Sequence, residues 1–224
     1  MVLGKHALVT GATGGLGKSI ANRLASEGCK LSLLGRSGLP EDYRGAVENV
    51  FKVDFTDPKS MEEFLRIDLD VDILVNCAGV FPVRTIAEST IEDYQRCFDV
   101  NVKAPFLLSK KFAEGMKKRK WGRIVNIGSS SSYAGSPDSG LYCASKHALL
   151  GLSRSQYLEL KYHNVRVFCL SPGSIQTEMG KKVPHQDYST FMNPEEIAEY
   201  LVNMIKFDNE MISEEVRLNR IIIR

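Results

Sequence analysis

Short apolar runs alternate along the chain with longer segments in which apolar residues recur every three or four positions. The first pattern predicts buried strands, and the second predicts amphipathic helices. The predicted strands are Ala7–Thr10, Lys30–Leu34, Val50–Val53, Ile73–Asn76, Arg123–Ile127, Arg166–Leu170 and Val216–Ile222. The predicted helices are Leu16–Glu27, Pro58–Leu65, Ile91–Val100, Val102–Lys118, Leu141–Tyr162 and Pro194–Phe207. This alternation predicts a doubly wound α/β fold, with a parallel sheet of about seven strands and helices on both faces.

Composition narrows the classes of protein to which the chain can belong. Its 224 residues are enough for a single domain spanning residues 1–224. The formal net charge of +2 implies no polyanion, so we expect no nucleic-acid partner. The five cysteines form no Cys-x-x-Cys pair, so we expect reduced thiols, a cytoplasmic location and no metal site. No apolar run approaches the roughly 20 residues of a membrane span, and the N-terminus does not resemble a signal peptide.

A glycine-rich loop, Thr10–Gly17, lies between the first predicted strand and the first predicted helix. This arrangement is typical of a Rossmann-like dinucleotide site. Gly11 permits the tight turn, Gly15 lets the backbone approach the pyrophosphate, and Gly17 lets the helix pack close to the strand. The helix N-terminus then offers unpaired N–H groups to the anion. The alternative is a glycine-rich turn that binds no ligand.

Tyr142 and Lys146 are four residues apart in a predicted helix, so they share one face. A phenol has an ordinary pKa of about 10 and exchanges protons poorly at neutral pH. A neighbouring ammonium favours the phenolate, so we expect Lys146 to lower the pKa of Tyr142. The pair therefore predicts an acid–base catalyst that works near pH 7.

With these residues in place, nearly the whole chain, up to about Phe207, resembles the short-chain dehydrogenase/reductase family, and in particular its 3-oxoacyl-[acyl-carrier-protein] reductases. The matching segments are the loop Thr10–Gly17, Asn76-Cys-Ala-Gly79 with a cysteine in place of a second asparagine, and Pro172-Gly173 with Thr177. The matching catalytic positions are Asn101, Ser129, Tyr142 and Lys146. The resemblance implies an NAD(P)-dependent oxidoreductase that reduces a carbonyl to an alcohol.

The resemblance also implies a role for each catalytic residue. Ser129 would bind the substrate carbonyl, and Tyr142 would donate the proton. Lys146 would lower the phenol pKa and bond the nicotinamide ribose, while Asn101 would hold a water that reloads the proton. The residues leave rival readings open: Ser129–Ser132 could be a flexible polar loop, Ser130 could be the catalytic serine, and Asn101 could cap a helix that begins at Val102.

The residues after the second strand indicate which cofactor is preferred. Relatives that prefer NAD have an aspartate where this chain has Gly35, and Arg36 and Ser37 follow. A guanidinium can pair with a 2′-phosphate, so we expect NADP(H) as the cofactor, with NAD(H) as the second option. The alternative is that Arg36 is a solvated loop residue that binds no cofactor. By resemblance, Asp54 would bond the adenine and the backbone at Asn76, Ala78 and Gly79 would line the ribose. The cofactor-binding set that we predict is Gly11, Thr13, Gly15, Leu16, Gly17, Arg36, Ser37, Asp54, Phe55, Asn76, Ala78, Gly79, Tyr142, Lys146, Pro172, Gly173, Ile175 and Thr177.

The substrate is less clearly indicated than the cofactor. The resemblance places its pocket between two loops, of which the first contains Ser131, Tyr133 and Pro137 and the second Ile175, Met179, Val183 and Phe191. Neither loop shows an obvious carboxylate clamp. The basic run Lys117–Lys120 could dock an acidic carrier protein, but a solvated helix end explains it better.

Two further expectations concern assembly and function class. Family members form dimers or tetramers through the helices predicted at Val102–Lys118 and Leu141–Tyr162, so we expect a homo-oligomer. The segment from Ile212 to Arg224 lacks the Asp-Gly-Gly sequence that is usual there in the family. The sequence therefore does not decide between a dimer and a tetramer that needs a second interface. The alternative to an enzyme is a non-catalytic NADP(H)-binding sensor or scaffold, and no membrane partner is expected.

Overall fold

A seven-stranded parallel sheet forms the centre of the molecule. The computed structural model describes residues 2–37, 47–207 and 212–220. The strands are β1 His6–Thr10, β2 Lys30–Gly35, β3 Val47–Lys52, β4 Ile73–Asn76, β5 Gly122–Ile127, β6 Val165–Pro172 and β7 Glu215–Leu218. Their order across the sheet is β3-β2-β1-β4-β5-β6-β7. The predicted fold class is therefore confirmed.

Helices cover both faces of this sheet. They are α1 Gly15–Ser26, α2 Pro58–Leu65, α3 Ile91–Phe98, α4 Ala104–Arg119, α5 Gly140–Leu160 and α6 Pro194–Lys206. On one face α1 and α6 pack on alternate strand residues such as Val9 and Val75. On the other face α2 and α4 pack on the intervening residues, such as Leu8 and Leu74. Strands that are buried on both faces consist of continuous apolar runs, so the central strands could be predicted from the sequence.

Element ends differ from the prediction where polar residues obscure the pattern. The third strand begins at Val47 rather than Val50, because it lies at the sheet edge and its residues alternate between half-buried and exposed. The fifth helix ends at Leu160, and a single 3₁₀ turn, Lys161–His163, follows it. The last strand ends at Leu218, and Ile221 and Ile222 of the predicted strand lie outside the described residues.

The largest difference lies between the third and fourth helices. Instead of two separate helices, a π-helical turn at Asp99–Lys103 joins α3 directly to α4. Asn101 lies inside this turn, so the reading in which it caps a helix starting at Val102 is wrong. Short π-helical turns within α-helices often occur at functional sites, since they redirect a side chain that a regular helix would point elsewhere.

The strand order fixes where a ligand can bind. From β1 the chain moves outward to β2 and β3, and then returns to β4 on the opposite side of β1. The loops that leave the carboxyl ends of β1 and β4 therefore diverge and open a crevice between them. Most of the predicted site residues follow strand ends and converge on this crevice.

Candidate active site

A cleft of about 720 Å³ opens at the carboxyl ends of the strands. It brings together predicted residues from the loops after β1, β4, β5 and β6 and from helices α1 and α5. The predicted residues that line it are Gly11, Thr13, Gly15, Leu16, Gly17, Ala78, Gly79, Ser129, Tyr142, Lys146, Pro172, Gly173, Ile175 and Thr177.

The glycine loop at one end of this cleft has the geometry of an anion-binding cradle. Gly11 has a φ of +67°, and a Cβ on Gly17 would lie 2.3 Å from the Gly11 carbonyl oxygen. Helix α1 begins at Gly14–Gly15, and no side chain caps its first N–H groups and no acidic residue occupies its first turn. A Cβ on Gly14 would meet no protein atom within 4 Å. Uncapped amides that face open space in the cleft fit the pyrophosphate of a dinucleotide.

Thr10, which the sequence analysis did not single out, fixes the opposite wall of the cradle. Its buried hydroxyl accepts hydrogen bonds from the backbone N–H groups of Cys77 and Ala78, at 3.0 and 2.9 Å. This side chain therefore ties the end of β1 to the loop after β4. A threonine that closes an apolar strand gives no sequence signal for this role, because its partners are backbone groups 67 and 68 residues away.

Tyr142 lies between Ser129 and an aromatic ring that the sequence analysis missed. The ring of Phe81, from the loop after β4, meets Tyr142 edge to face at a centroid distance of 4.8 Å. Burial raises the pKa of Tyr142 to about 12, and a hydrogen bond with Ser129 acts in the opposite direction. Ser129, rather than Ser130, is therefore the serine whose hydroxyl lowers the phenol pKa, and its Oγ also accepts a hydrogen bond from Ser131 N–H at 3.1 Å.

Lys146 is buried, and its Nζ donates to the Ile127 carbonyl at 2.6 Å. Burial lowers the pKa of this lysine. Its Nζ lies 5.7 Å from the centroid of the Tyr142 ring. The expectation of a Tyr142 pKa below its ordinary value is wrong for this structure, because loss of water around the phenol outweighs the influences that lower it.

Asn101 is fully buried, and its side chain holds the loop after β4. Its Nδ2 donates to the Val80 carbonyl at 3.0 Å, and its Oδ1 accepts from Val80 N–H at 2.9 Å. The second amide hydrogen goes to Ser145 Oγ at 3.0 Å. Both amide donors are thus engaged within the protein, so any water that Asn101 holds must donate to one of its oxygen atoms.

Five predicted cofactor residues do not line the cleft. Arg36 and Ser37 are exposed at the end of β2, while Phe55 is buried in the core. Asp54 accepts hydrogen bonds from Thr56 N–H and Oγ1, at 2.9 and 2.7 Å, and these bonds lower its pKa. The side chain of Asn76 is buried and donates to Asn126 Oδ1 at 2.8 Å.

The substrate side of the cleft contains a residue outside both predicted loops. Ser131, Met179 and Val183 line it as expected. Pro137, Tyr133 and Phe191 do not, but Arg217 on β7 does. A lone arginine near the end of a chain gives no sequence signal for a cleft, because only the pairing of β7 with β6 brings it there.

The five cysteines are all free thiols. Burial raises the pKa of Cys77, which lines the cleft, to about 12, so this thiol is a poor nucleophile. Across the described ranges 2–37, 47–207 and 212–220, no helix is both long and apolar enough to cross a membrane.

Comparison with known proteins is consistent with this geometry. Residues 5–187 match the family described as short chain dehydrogenase. The chain is 36% identical over 186 residues to the 3-oxoacyl-[acyl-carrier-protein] reductase FabG of Vibrio cholerae, a match that covers 80% of this chain and 76% of the relative.

Two similar solved structures contain different nicotinamide cofactors. The alcohol dehydrogenase from the archaeon Thermococcus sibiricus, complexed with 5-hydroxy-NADP, has a TM-score of 0.83 and 29% identity over 96% of each chain. A 4-hydroxyisoleucine dehydrogenase complexed with NADH has a TM-score of 0.85 and 25% identity, over 96% of this chain and 97% of the other. The chain thus belongs to the short-chain dehydrogenase family and is an NAD(P)-dependent oxidoreductase that acts on CH–OH groups.

Proposed function

We propose that this protein uses NADP(H) to reduce a carbonyl compound to an alcohol, with Tyr142 as the general acid. The contact between the Ser129 hydroxyl and the Tyr142 phenol carries the proposal, because two O–H groups then meet in the cleft that holds the glycine cradle. Two such donors can bind the oxygen of a carbonyl group and stabilise the negative charge that develops on it. When bound, NADP(H) supplies the hydride.

The raised pKa of Tyr142 supports the reductive direction. With a pKa of about 12, the phenol carries its proton throughout the neutral range. It can therefore donate that proton to the substrate oxygen as negative charge develops there. Donation leaves a phenolate, and the buried Lys146 ammonium is the nearest cation on the same helix to stabilise it.

Asn101 contributes to the site by holding other parts of it in place. Its side chain holds the loop of Val80 and bonds Ser145, whose hydroxyl in turn donates to the Tyr142 carbonyl at 2.7 Å. The loop after β4 and the start of the catalytic helix are thereby fixed relative to each other. A proton relay through a water on Asn101 and Lys146 remains part of the proposal, with an oxygen of Asn101 as the acceptor.

The end of β2 supports NADP(H) over NAD(H). A Cβ on Gly35 would lie 2.7 Å from Thr13 Cγ2, so an acidic side chain has no room there unless Thr13 moves. The next residue, Arg36, is exposed, and its charge helps to lower the pKa of Asp54. Its field therefore reaches the site proposed for the adenosine, where a guanidinium favours a 2′-phosphate.

We also propose that the chain is a single domain and forms a homo-oligomer. Phe98, Val102, Phe106 and Leu152 line a shallow, mainly apolar depression at the surface of the third to fifth helices. Phe106 is 44% exposed. A second copy packed here would remove this apolar surface from water.

The test is oxidation of NADPH and NADH with ketones, aldehydes, oxo acids and 3-oxoacyl thioesters as substrates. We expect turnover with a lower KM for NADPH than for NADH, and a loss of at least about 100-fold in kcat in Tyr142→Phe. Tyr157→Phe, on the same helix but away from the cleft, is the control and should behave like the unmodified protein. Binding of NADPH without turnover of any of these substrates would contradict the proposed reduction of these carbonyl compounds.

A further inference from the structure

A cation lies in the cleft although the two predicted substrate loops offer no carboxylate clamp. Arg217, on β7, lines the same cleft as Ser129 and Tyr142. Its guanidinium carbon lies 4.4 Å from the centroid of the Tyr133 ring. A guanidinium that stacks on an aromatic face is held in place there while its N–H groups point outward from the edge. Tyr133 thus orients Arg217 without neutralising its charge.

The nearby carboxylates are already engaged by other cations. Glu215 lies two residues before Arg217, on the same side of the strand. It forms hydrogen bonds to Arg154 through both oxygens, one of them at 3.0 Å, and this partner lowers its pKa. Glu178, which also lines the cleft, pairs with Lys181. Within the described part of the chain, Arg217 makes no ion pair with any of these carboxylates.

The strand that carries Arg217 is anchored on the substrate side of the cleft. Arg220, three residues later, donates to Thr190 Oγ1 at 2.8 Å and to Gln186 Oε1 at 2.9 Å. Gln186 lines the cleft and also accepts a hydrogen bond from Ser174 Oγ at 3.0 Å. Because Arg220 ties β7 to the loop between β6 and α6, Arg217 has a defined place relative to the other cleft walls.

We propose that Arg217 binds a carboxylate of the substrate, so that the compound reduced by this protein is an oxo acid. This inference rests on the proposed function, since it names the protein group that binds the substrate at the end away from the reacting carbonyl. A guanidinium presents paired donors whose geometry matches a carboxylate. An ester, an amide or a plain ketone offers no charge to Arg217. Tyr133 is a positioning residue, because its ring holds the Arg217 guanidinium in place and does not itself contact the substrate.

The test measures binding separately from turnover. Tyr142→Phe protein is loaded with NADPH, and calorimetry measures the binding of 3-oxobutyrate, 4-oxopentanoate and their methyl esters. We expect each acid to bind about ten- to a hundredfold more tightly than its ester. Adding Arg217→Met should weaken the binding of the acids by that factor and leave the binding of the esters unchanged. Arg66→Met is the matched control, because Arg66 is an exposed arginine at the C-terminal end of α2, and it should leave the acid preference intact.

Two further variants separate charge from folding. Arg217→Lys keeps the cation without the paired donors and should retain part of the preference. Tyr133→Leu removes the aromatic face and should weaken acid binding, whereas Tyr133→Phe should not. Equal binding of acid and ester, or no binding of either acid, would overturn the assignment to Arg217. If the acids bind as expected but the unmodified enzyme reduces none of the carbonyl compounds, the proposed reaction is wrong and the carboxylate site stands.

Discussion

At the scale of single residues, the environment of Tyr142 decides its chemistry more than its neighbour in sequence does. The spacing of Tyr142 and Lys146 indicated a phenol with a lowered pKa. In the folded protein, loss of water around the phenol raises that pKa to about 12, and Ser129 rather than Lys146 is the group that opposes the rise. A phenol of this kind is a proton donor at neutral pH, which favours reduction over oxidation.

This environment predicts the pH dependence of the reaction. A raised pKa keeps the acid form of Tyr142 present below about 12, so the proton donor is lost only in strongly alkaline solution. With saturating NADPH, we expect kcat/KM for carbonyl reduction to stay level within about twofold from about pH 6 to pH 9. Initial rates across that range, in buffers of constant ionic strength, give the measurement. A tenfold fall between about pH 7 and pH 8 would mean that the phenol loses its proton much earlier than the structure indicates.

At the scale of elements, the glycine loop meets two requirements, close packing of the fold and room for a ligand. Gly17 is needed for packing, because a side chain there would collide with the Gly11 carbonyl of the preceding turn. Gly14 is not needed for packing, because a side chain there would enter open cleft. One glycine therefore serves the fold, and the other leaves room for the proposed cofactor.

Two alanine substitutions test this division. Gly17→Ala should lower the free energy of unfolding by about 2 kcal/mol or more, since the Cβ would lie 2.3 Å from a backbone oxygen. Gly14→Ala should cost at most about 1 kcal/mol, as expected at a helix N-cap, but should weaken NADPH binding about tenfold or more. Urea unfolding and NADPH fluorescence titration measure the two effects.

Gly151→Ala is the control for these variants, because it lies in α5 with no atom within 4 Å of the added Cβ. It should raise stability by about 0.5–1 kcal/mol without changing NADPH affinity. Normal NADPH binding by Gly14→Ala would show that the phosphates do not lie at this turn.

At the scale of the whole molecule, the surface includes a basic run whose charges are partly paired and an apolar depression. The basic run Lys117–Lys120 ends α4, and within it Lys117 pairs with Glu114 while Arg119 pairs with Asp70. This pairing favours the interpretation of the run as a solvated helix end over a docking site for an acidic carrier protein. The apolar depression around Phe106 is the surface that we propose a second copy covers.

Replacement of Phe106 by glutamate tests the oligomer. The unmodified protein should elute as a dimer or tetramer, and Phe106→Glu should shift it to a smaller assembly, since a charge buried in an apolar contact is costly. Size-exclusion chromatography with light scattering measures the mass. Leu3→Glu, which alters an exposed leucine near the N-terminus, should leave the mass unchanged. An unmodified protein that is a monomer, or an unchanged mass in Phe106→Glu, would contradict this interface.

The sequence by itself determined what depends on neighbours along the chain. Strand β1, the glycine turn and α1 follow from a buried run, a backbone that only glycine allows and an amphipathic repeat, and α6 begins at Pro194 as predicted. The parallel sheet with helices on both faces followed from the alternation of strands and helices. These features are local, so periodicity and turn chemistry record them.

Only the tertiary structure decided the properties that arise between distant segments. Arg123 looked like the polar start of a strand, yet it is fully buried and donates to the Ile205 carbonyl of α6 at 3.2 Å. The clamp of Asn101 on Val80 and the place of Arg217 in the cleft likewise depend on packing of remote elements. The pKa of Tyr142 depends on how much water the fold excludes. Burial, charge and hydrogen bonding are set by all of a group's neighbours in space, and sequence spacing gives only a few of them.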